Sequence, residues 1–193
     1  MRHVTPVSET PVPILDLGAI HRELKPRLLE EIAELIDTGA FTLGPQVASF
    51  ERAWAGYCGT AECVGLASGL DALRLGLLAT GIAPGDEVIV PAETFAATFE
   101  AVTQAGGRPV VVDVDPRDYC LDVGAVEAAI GPRTRFVMPV HLYGQLADMS
   151  RVDELASRHR LAVVEDAAQA HGATANGFTV GTVLVRWSGL DWN

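Results

Sequence analysis

The sequence predicts an α/β fold, a mostly parallel sheet with helices on both faces. Three observations carry that prediction. From Glu62 onward, short apolar runs alternate with amphipathic stretches, the strand–helix–strand order that right-handed crossovers produce. The intervening turns hold Pro, Gly and Asp where the chain must reverse, as in APGDE (83–87) and DVDPRD (113–118). With 193 residues, 49% of them hydrophobic, the chain is large enough to bury the core such a sheet needs.

Taken in order, residues 1–22 are Pro-rich and aperiodic and predict an extended arm. In 24–39, Leu28, Ile32, Leu35 and Ile36 repeat at helical spacing. Pro26 suits a first turn and Gly39 a stop, so a helix is expected between them. A second helix, 45–57, carries Val47, Phe50, Trp54 and Tyr57 on one side, and that spacing reads as a buried stripe. The predicted strands are 62–66, 86–90, 109–114, 135–140 and 161–166. The helices between and around them are 69–80, 95–105, 122–130 and 149–159.

Charge and cysteine usage narrow the function classes. Fourteen basic against 25 acidic residues give a net charge of −11, which argues against a nucleic-acid partner. No run is long and apolar enough for a membrane span, and the first residues lack the apolar core of a signal peptide. Cys58, Cys63 and Cys120 are odd in number and lack metal-ligand spacing. They suit a reducing cytoplasm, with no metal expected.

In a parallel sheet, ligand-binding residues gather just past the carboxyl ends of the strands. Four stretches qualify. After 62–66, Ser68 and Gly69 open a helix whose free amides suit a phosphate, although Ser68 also reads as an ordinary N-cap. After 86–90, Phe95 begins a helix and suits either stacking on a planar ring or core packing. After 135–140, His141 and Tyr143 lie on a loop, with His141 open to an acid–base or a structural role. After 161–166 come Asp166 and, three residues on, Gln169. A buried carboxylate needs a cationic or hydrogen-bonding partner, and a protonated ring nitrogen is one; capping a following helix is the alternative. Phosphate cradle, aromatic plate and carboxylate together describe a phosphorylated, nitrogen-bearing ring, and pyridoxal phosphate fits. The glycine fingerprints of P-loop and nicotinamide proteins are absent.

The stretches SGLDAL, PGDEVIVPAETFAAT, PVVVDVDP, PVHLYGQLADM and VVEDAAQAHGA resemble, in order, the DegT/DnrJ/StrS family of pyridoxal-phosphate sugar aminotransferases. These enzymes are of fold type I, the aspartate aminotransferase-like class. The resemblance implies nucleotide-linked keto sugars as substrates, glutamate or glutamine as amino donor, and active sites assembled in a homodimer. It implies that Ser68, Gly69 and Leu70 lie at the phosphate, where Leu70 replaces the usual Thr and keeps only its amide. It further implies that Phe95 stacks on the pyridine ring, Asp166 pairs with the ring N–H, and Gln169 lies beside the ring hydroxyl.

The likeness breaks off after Gly181. The family's FSF motif is missing, and its cofactor-linking lysine would fall about two residues past Asn193. Lys25 is the sole lysine and sits on the first helix, and Ser188 does not align with the family's serine. The expectation is an arm and helices over 1–60, a partial cofactor-binding large domain over 61–182, an aberrant tail over 183–193, and no small domain. That describes a truncated or frame-shifted aminotransferase, or alternatively a non-catalytic remnant that pairs with a full-length homologue.

Overall fold

A computed structural model of the chain describes residues 13–175, 177–180 and 183–187. The expected arm over residues 1–12, and the tail over 188–193 with Ser188, lie outside them. Two compact units divide the chain, residues 1–49 and 50–193.

In the first unit, helix α1 spans Leu17–Thr38. It starts well before the predicted point, because the Asp16 carboxylate accepts the Ala19 N–H at 2.9 Å and caps it. Pro26 is therefore interior rather than in the first turn, and Gly39, at φ 67°, ends the helix as predicted. None of α1 is buried, and Leu17, Ile20, Leu24, Leu28, Ile32 and Ile36 are all exposed.

Helix α2 spans Pro45–Cys58, and its buried residues are Ala55 and Cys58. The aromatic stripe is not core: Tyr57 is exposed and Trp54 only half-buried. These rings satisfy one another instead. Trp54 stacks on Phe50 with centroids 5.6 Å apart, and meets Tyr57 at 5.3 Å and the His171 edge at 5.4 Å.

The sheet is where the prediction was strongest. Strands β1 (Glu87–Pro91), β2 (Arg108–Val112), β3 (Thr134–Val137) and β4 (Ala162–Asp166) are parallel, in the order β2-β1-β3-β4. Helices α3 (Gly69–Ala79), α4 (Ala96–Gln104), α5 (Val123–Ala129) and α6 (Met149–His159) connect or flank them. Two short strands, β5 (Thr174–Ala175) and β6 (Phe178–Thr179), form a separate hairpin. The last strand, β7 (Val183–Trp187), pairs antiparallel with β4.

The period of two sorts the strand side chains into two cores. Val88, Val90, Phe136, Met138, Ala162 and Val164 pack with Leu73 and Leu77 of α3 and Ala101 and Val102 of α4. Ile89, Val137 and Val163 pack on the other face with Val126 of α5 and Val152 and Leu155 of α6. β1 and β4 are buried on both sides, which is why they read as continuous apolar runs, while the edge strand β2 leaves Val111 exposed.

Residues 62–66 do not form the predicted strand. A strand needs a neighbour: β1, β3 and β4 are each paired on both sides, and among the described residues no strand adds to the outer edges of β2 or β7. Gly65 donates its N–H to the Glu51 carboxylate instead, at 2.7 Å.

At the amino ends of the strands, buried Glu87 of β1 receives Arg108 of β2, Arg133 at 3.0 Å, and the Thr134 hydroxyl of β3 at 3.3 Å. The two guanidinium groups hold its carboxyl below the usual range. A depressed carboxyl adds stability above its unfolded value, about pH 4, that is lost as pH falls through the folded value. Glu87→Gln should therefore flatten the acid limb of the stability curve below about pH 4. Urea titrations at stepped pH would check this, and an unchanged acid limb would exclude the mechanism.

Candidate functional site

The strand parity that builds the two cores also sorts the acids at the end of β4. Asp166 shares its face with Ala162 and Val164, toward α3 and α4, and Glu165 shares its face with Val163. No helix follows β4, which excludes the helix-cap alternative for Asp166; the chain turns at once.

The Asp166 carboxylate is 7% exposed and is held at both oxygens. The Thr98 hydroxyl of α4 donates to Oδ2 at 3.1 Å, and the Ala168 N–H donates to Oδ1 at 3.2 Å. Thr98 in turn meets the Thr94 hydroxyl at 2.8 Å. An ionised carboxylate has about four acceptor positions, so two donors leave room for another.

Phe95 is the N-cap residue of α4, three positions before Thr98, so a single helix start carries both. Phe95 is 74% exposed, and of the two roles open to it, core packing is not the one observed.

At the start of α3, Ser68 is the N-cap, and its hydroxyl accepts the Asp71 N–H at 3.1 Å. That is the ordinary capping role, and it leaves Gly69 and Leu70 as exposed-turn amides at a helix N-terminus. A side chain at Gly69 would meet no heavy atom within 4 Å, so the space beside it is open. The Leu70 side chain packs against the core, so its amide is the part that can serve a ligand. Asp71, the acid in this first turn, is paired with Arg74 at 3.0 Å.

Gln169 is exposed beside the loop after β3. Its Oε1 accepts the Tyr143 N–H at 3.0 Å, which leaves the Gln169 amide group as a donor. Tyr143 adopts φ 57°, unusual for a bulky residue and a mark of local constraint. Its hydroxyl donates to Glu93 at 3.2 Å, and that bond, with the Glu93 charge, pushes the phenol's pKa up. Tyr119, also in the left-handed region at φ 59°, sets its ring edge-on to Tyr143 at 6.5 Å.

His141 takes the structural role. It is fully buried, its Nδ1 accepts the Ala147 N–H at 3.1 Å, and its Nε2 lies 3.0 Å from the buried Glu165 carboxylate. Among the described residues, no cluster of His, Cys, Asp and Glu suits a metal, and no helix is long and apolar enough to cross a membrane.

Sequence reasoning missed Thr94, Thr98, Glu93 and Glu165. The signal for the threonines was present in TFAAT, where two hydroxyls four apart bracket a helix start; a target for them was not.

Residues 22–184 match the DegT/DnrJ/EryC1/StrS aminotransferase family. The chain belongs to that family. It is 50% identical over 175 residues to the dTDP-3-amino-3,4,6-trideoxy-alpha-D-glucose transaminase of Streptomyces venezuelae, a match covering 90% of this chain and 46% of that one. It is also 50% identical over 173 residues to a UDP-N-acetyl-3-dehydro-alpha-D-glucosamine 3-aminotransferase of Acidithiobacillus ferrooxidans, covering 90% and 47%. The crystal structure of S. venezuelae DesV superposes with a TM-score of 0.85 at 50% identity, over 89% of this chain and 46% of DesV. That of NtdA from Bacillus subtilis, which contains the cofactor PMP, does so with a TM-score of 0.80 at 37% identity, over 92% and 39%. The chain thus spans about half the length of the curated relatives it matches.

Proposed function

We propose that residues 50–187 form the cofactor-binding half of a pyridoxal-phosphate-dependent nucleotide-sugar aminotransferase. The observation that carries this reading is Asp166, a buried carboxylate at the carboxyl end of β4 fixed by two protein donors, with acceptor capacity left. The residues present fit the group. Asp166 offers an acceptor for a ring N–H, Phe95 an exposed aromatic face, Gln169 a donor, and the Gly69 and Leu70 amides a helix N-terminus with room for a phosphate.

When bound, pyridoxal phosphate supplies the electron sink through which an amino group passes between amino-acid donor and keto sugar. The chain's own residues bind and orient. Asp166 holds the proton on the ring nitrogen, the Gly69 and Leu70 amides hold the phosphate, Phe95 covers one ring face, and the Gln169 amide donates to the ring oxygen. Moving a proton at the reacting carbon needs a base. Lys25, the single lysine, lies in the 1–49 unit, so residues 50–193 do not provide that base as a lysine.

The substrate class proposed is a nucleotide-linked keto sugar, aminated with glutamate or glutamine as donor, in the cytoplasm. The exposed apolar stripe of α1 supports a dimer as the working form. A second reading is a non-catalytic chain that pairs with a full-length homologue.

Pyridoxamine phosphate (PMP) tests the reading because its binding needs no lysine. Titrating the whole chain with PMP, followed by the ligand's fluorescence, should give saturable one-site binding. No saturation would remove the cofactor assignment. Transaminase activity that appears only on mixing with a full-length homologue would decide for the second reading.

A further inference from the structure

We propose that Thr98 is a positioning residue: with Thr94 it forms a directed hydroxyl chain that sets the Asp166 carboxylate for a ring N–H. The inference rests on the cofactor reading above and goes beyond it, to a residue that never touches the ring.

The direction of the chain follows from proton counting. An ionised carboxylate only accepts, so the one proton of the Thr98 hydroxyl goes to Asp166 Oδ2, 3.1 Å away. Thr98 then has only lone pairs for Thr94, and the Thr94 hydroxyl must be the donor across their 2.8 Å contact. The order is Thr94 to Thr98 to Asp166. Charge-assisted bonds of this kind are the stronger ones, and each link polarises the next.

The geometry restricts Asp166 at two points. Thr98 holds Oδ2 from α4, and the Ala168 N–H holds Oδ1 from the turn after β4. Donors on opposite oxygens fix the rotation of the carboxylate plane. Thr98 is itself fully buried, so water does not substitute for it.

Other helix threonines here behave differently. Thr38, Thr80 and Thr103 turn their hydroxyls back to carbonyls four residues earlier, at 2.8, 3.0 and 3.0 Å. Thr98 lies four residues after Thr94 and meets that residue's hydroxyl instead. Its own proton crosses to a residue 68 positions away. The start of α4 therefore couples two roles, with Phe95 presenting a ring face and Thr98 aligning the acid.

The test uses the whole chain and PMP. Thr98→Val keeps the shape and removes the donor; it should raise the PMP dissociation constant about tenfold, the scale on which an orienting partner acts. It should also lower the pH at which the ultraviolet band of the bound ring reports loss of the ring-nitrogen proton. Thr98→Ser restores both values, and Thr94→Val, one link further from the carboxylate, moves both in the same direction by less. A purely structural threonine would change melting temperature and leave the band's pH midpoint in place. Wild-type affinity and midpoint in Thr98→Val would overturn the inference alone, as would equal losses in Thr98→Val and Thr98→Ser. Failure of the unmodified chain to bind PMP would overturn the inference together with the cofactor reading.

Discussion

Replacing Asp166 with alanine should weaken PMP binding by about ten- to a hundredfold, the equivalent of one charge-assisted hydrogen bond of about 1.5–3 kcal/mol. The size follows from the setting. The acid is 7% exposed and pre-aligned by Thr98 and Ala168, so its bond to a ring N–H forms with little water to displace and little side-chain freedom to lose. Alanine also strands the buried Thr98 hydroxyl, so stability falls along with affinity. Asp166→Asn separates the two effects. Its amide oxygen can still take the Thr98 proton, so it loses only the Ala168 anchor where alanine loses both, but it carries no charge for a protonated ring. Isothermal titration with PMP should give similar losses for both variants, with a smaller drop in melting temperature for Asn. Affinity near that of the unmodified chain in Asp166→Asn would show that the carboxylate does not meet the ring.

The sheet was legible because its determinants are local. Strands buried on both faces must be apolar throughout, and Val88–Val90 and Ala162–Val164 are. Residues 62–66 show the limit of that argument. ECVGL has the composition of a strand, yet pairing is a property of neighbours, and no described strand pairs with it. Trp54 and Tyr57 failed for a related reason: helical spacing says that residues share a face, not that another element covers it. Here the rings cover each other and His171.

The proposed site was legible at the residues that end its strands and open its helices, and not behind them. Asp166, Phe95, Ser68 and Gly69 stand at a change from apolar to polar residues at strand and helix ends, and such changes are visible in one dimension. Thr98 acts on a residue 68 positions away and Glu165 on one 24 positions away, and no local pattern encodes those separations. The sequence did contain one usable clue. Two adjacent acids end a strand whose other residues are apolar, and period two sends them to opposite faces. Two buried carboxylates then require two separate sets of partners.

His141 meets Glu165 on the second face, and its removal should be the most destabilising single change at this end of the sheet. The Ala147 N–H points at Nδ1, so that nitrogen accepts and Nε2 carries the proton given to Glu165, 3.0 Å away. Both side chains are fully buried. His141→Ala withdraws the imidazole from a buried acid, leaves the Ala147 N–H without its acceptor, and opens a cavity. Breaking such a pair from one side costs about 3–5 kcal/mol. Against a typical total of about 5–15 kcal/mol, that brings the chain close to unfolding. For a chain of this length, the melting temperature should fall by about 10 °C. A shift of less than about 2 °C in calorimetry would exclude this account. The double variant His141→Leu, Glu165→Leu should lie closer to the unmodified chain than His141→Ala does, because it removes the buried acid along with the imidazole. The consequence also reaches the site. The Ala147 bond closes the loop that carries Tyr143, and the Tyr143 N–H holds Gln169. A ring sealed from solvent and saturated at both nitrogens has no path to a substrate. On the proposed cofactor reading its contribution is the placement of Gln169, and PMP affinity should fall in His141→Ala even at temperatures where the chain remains folded.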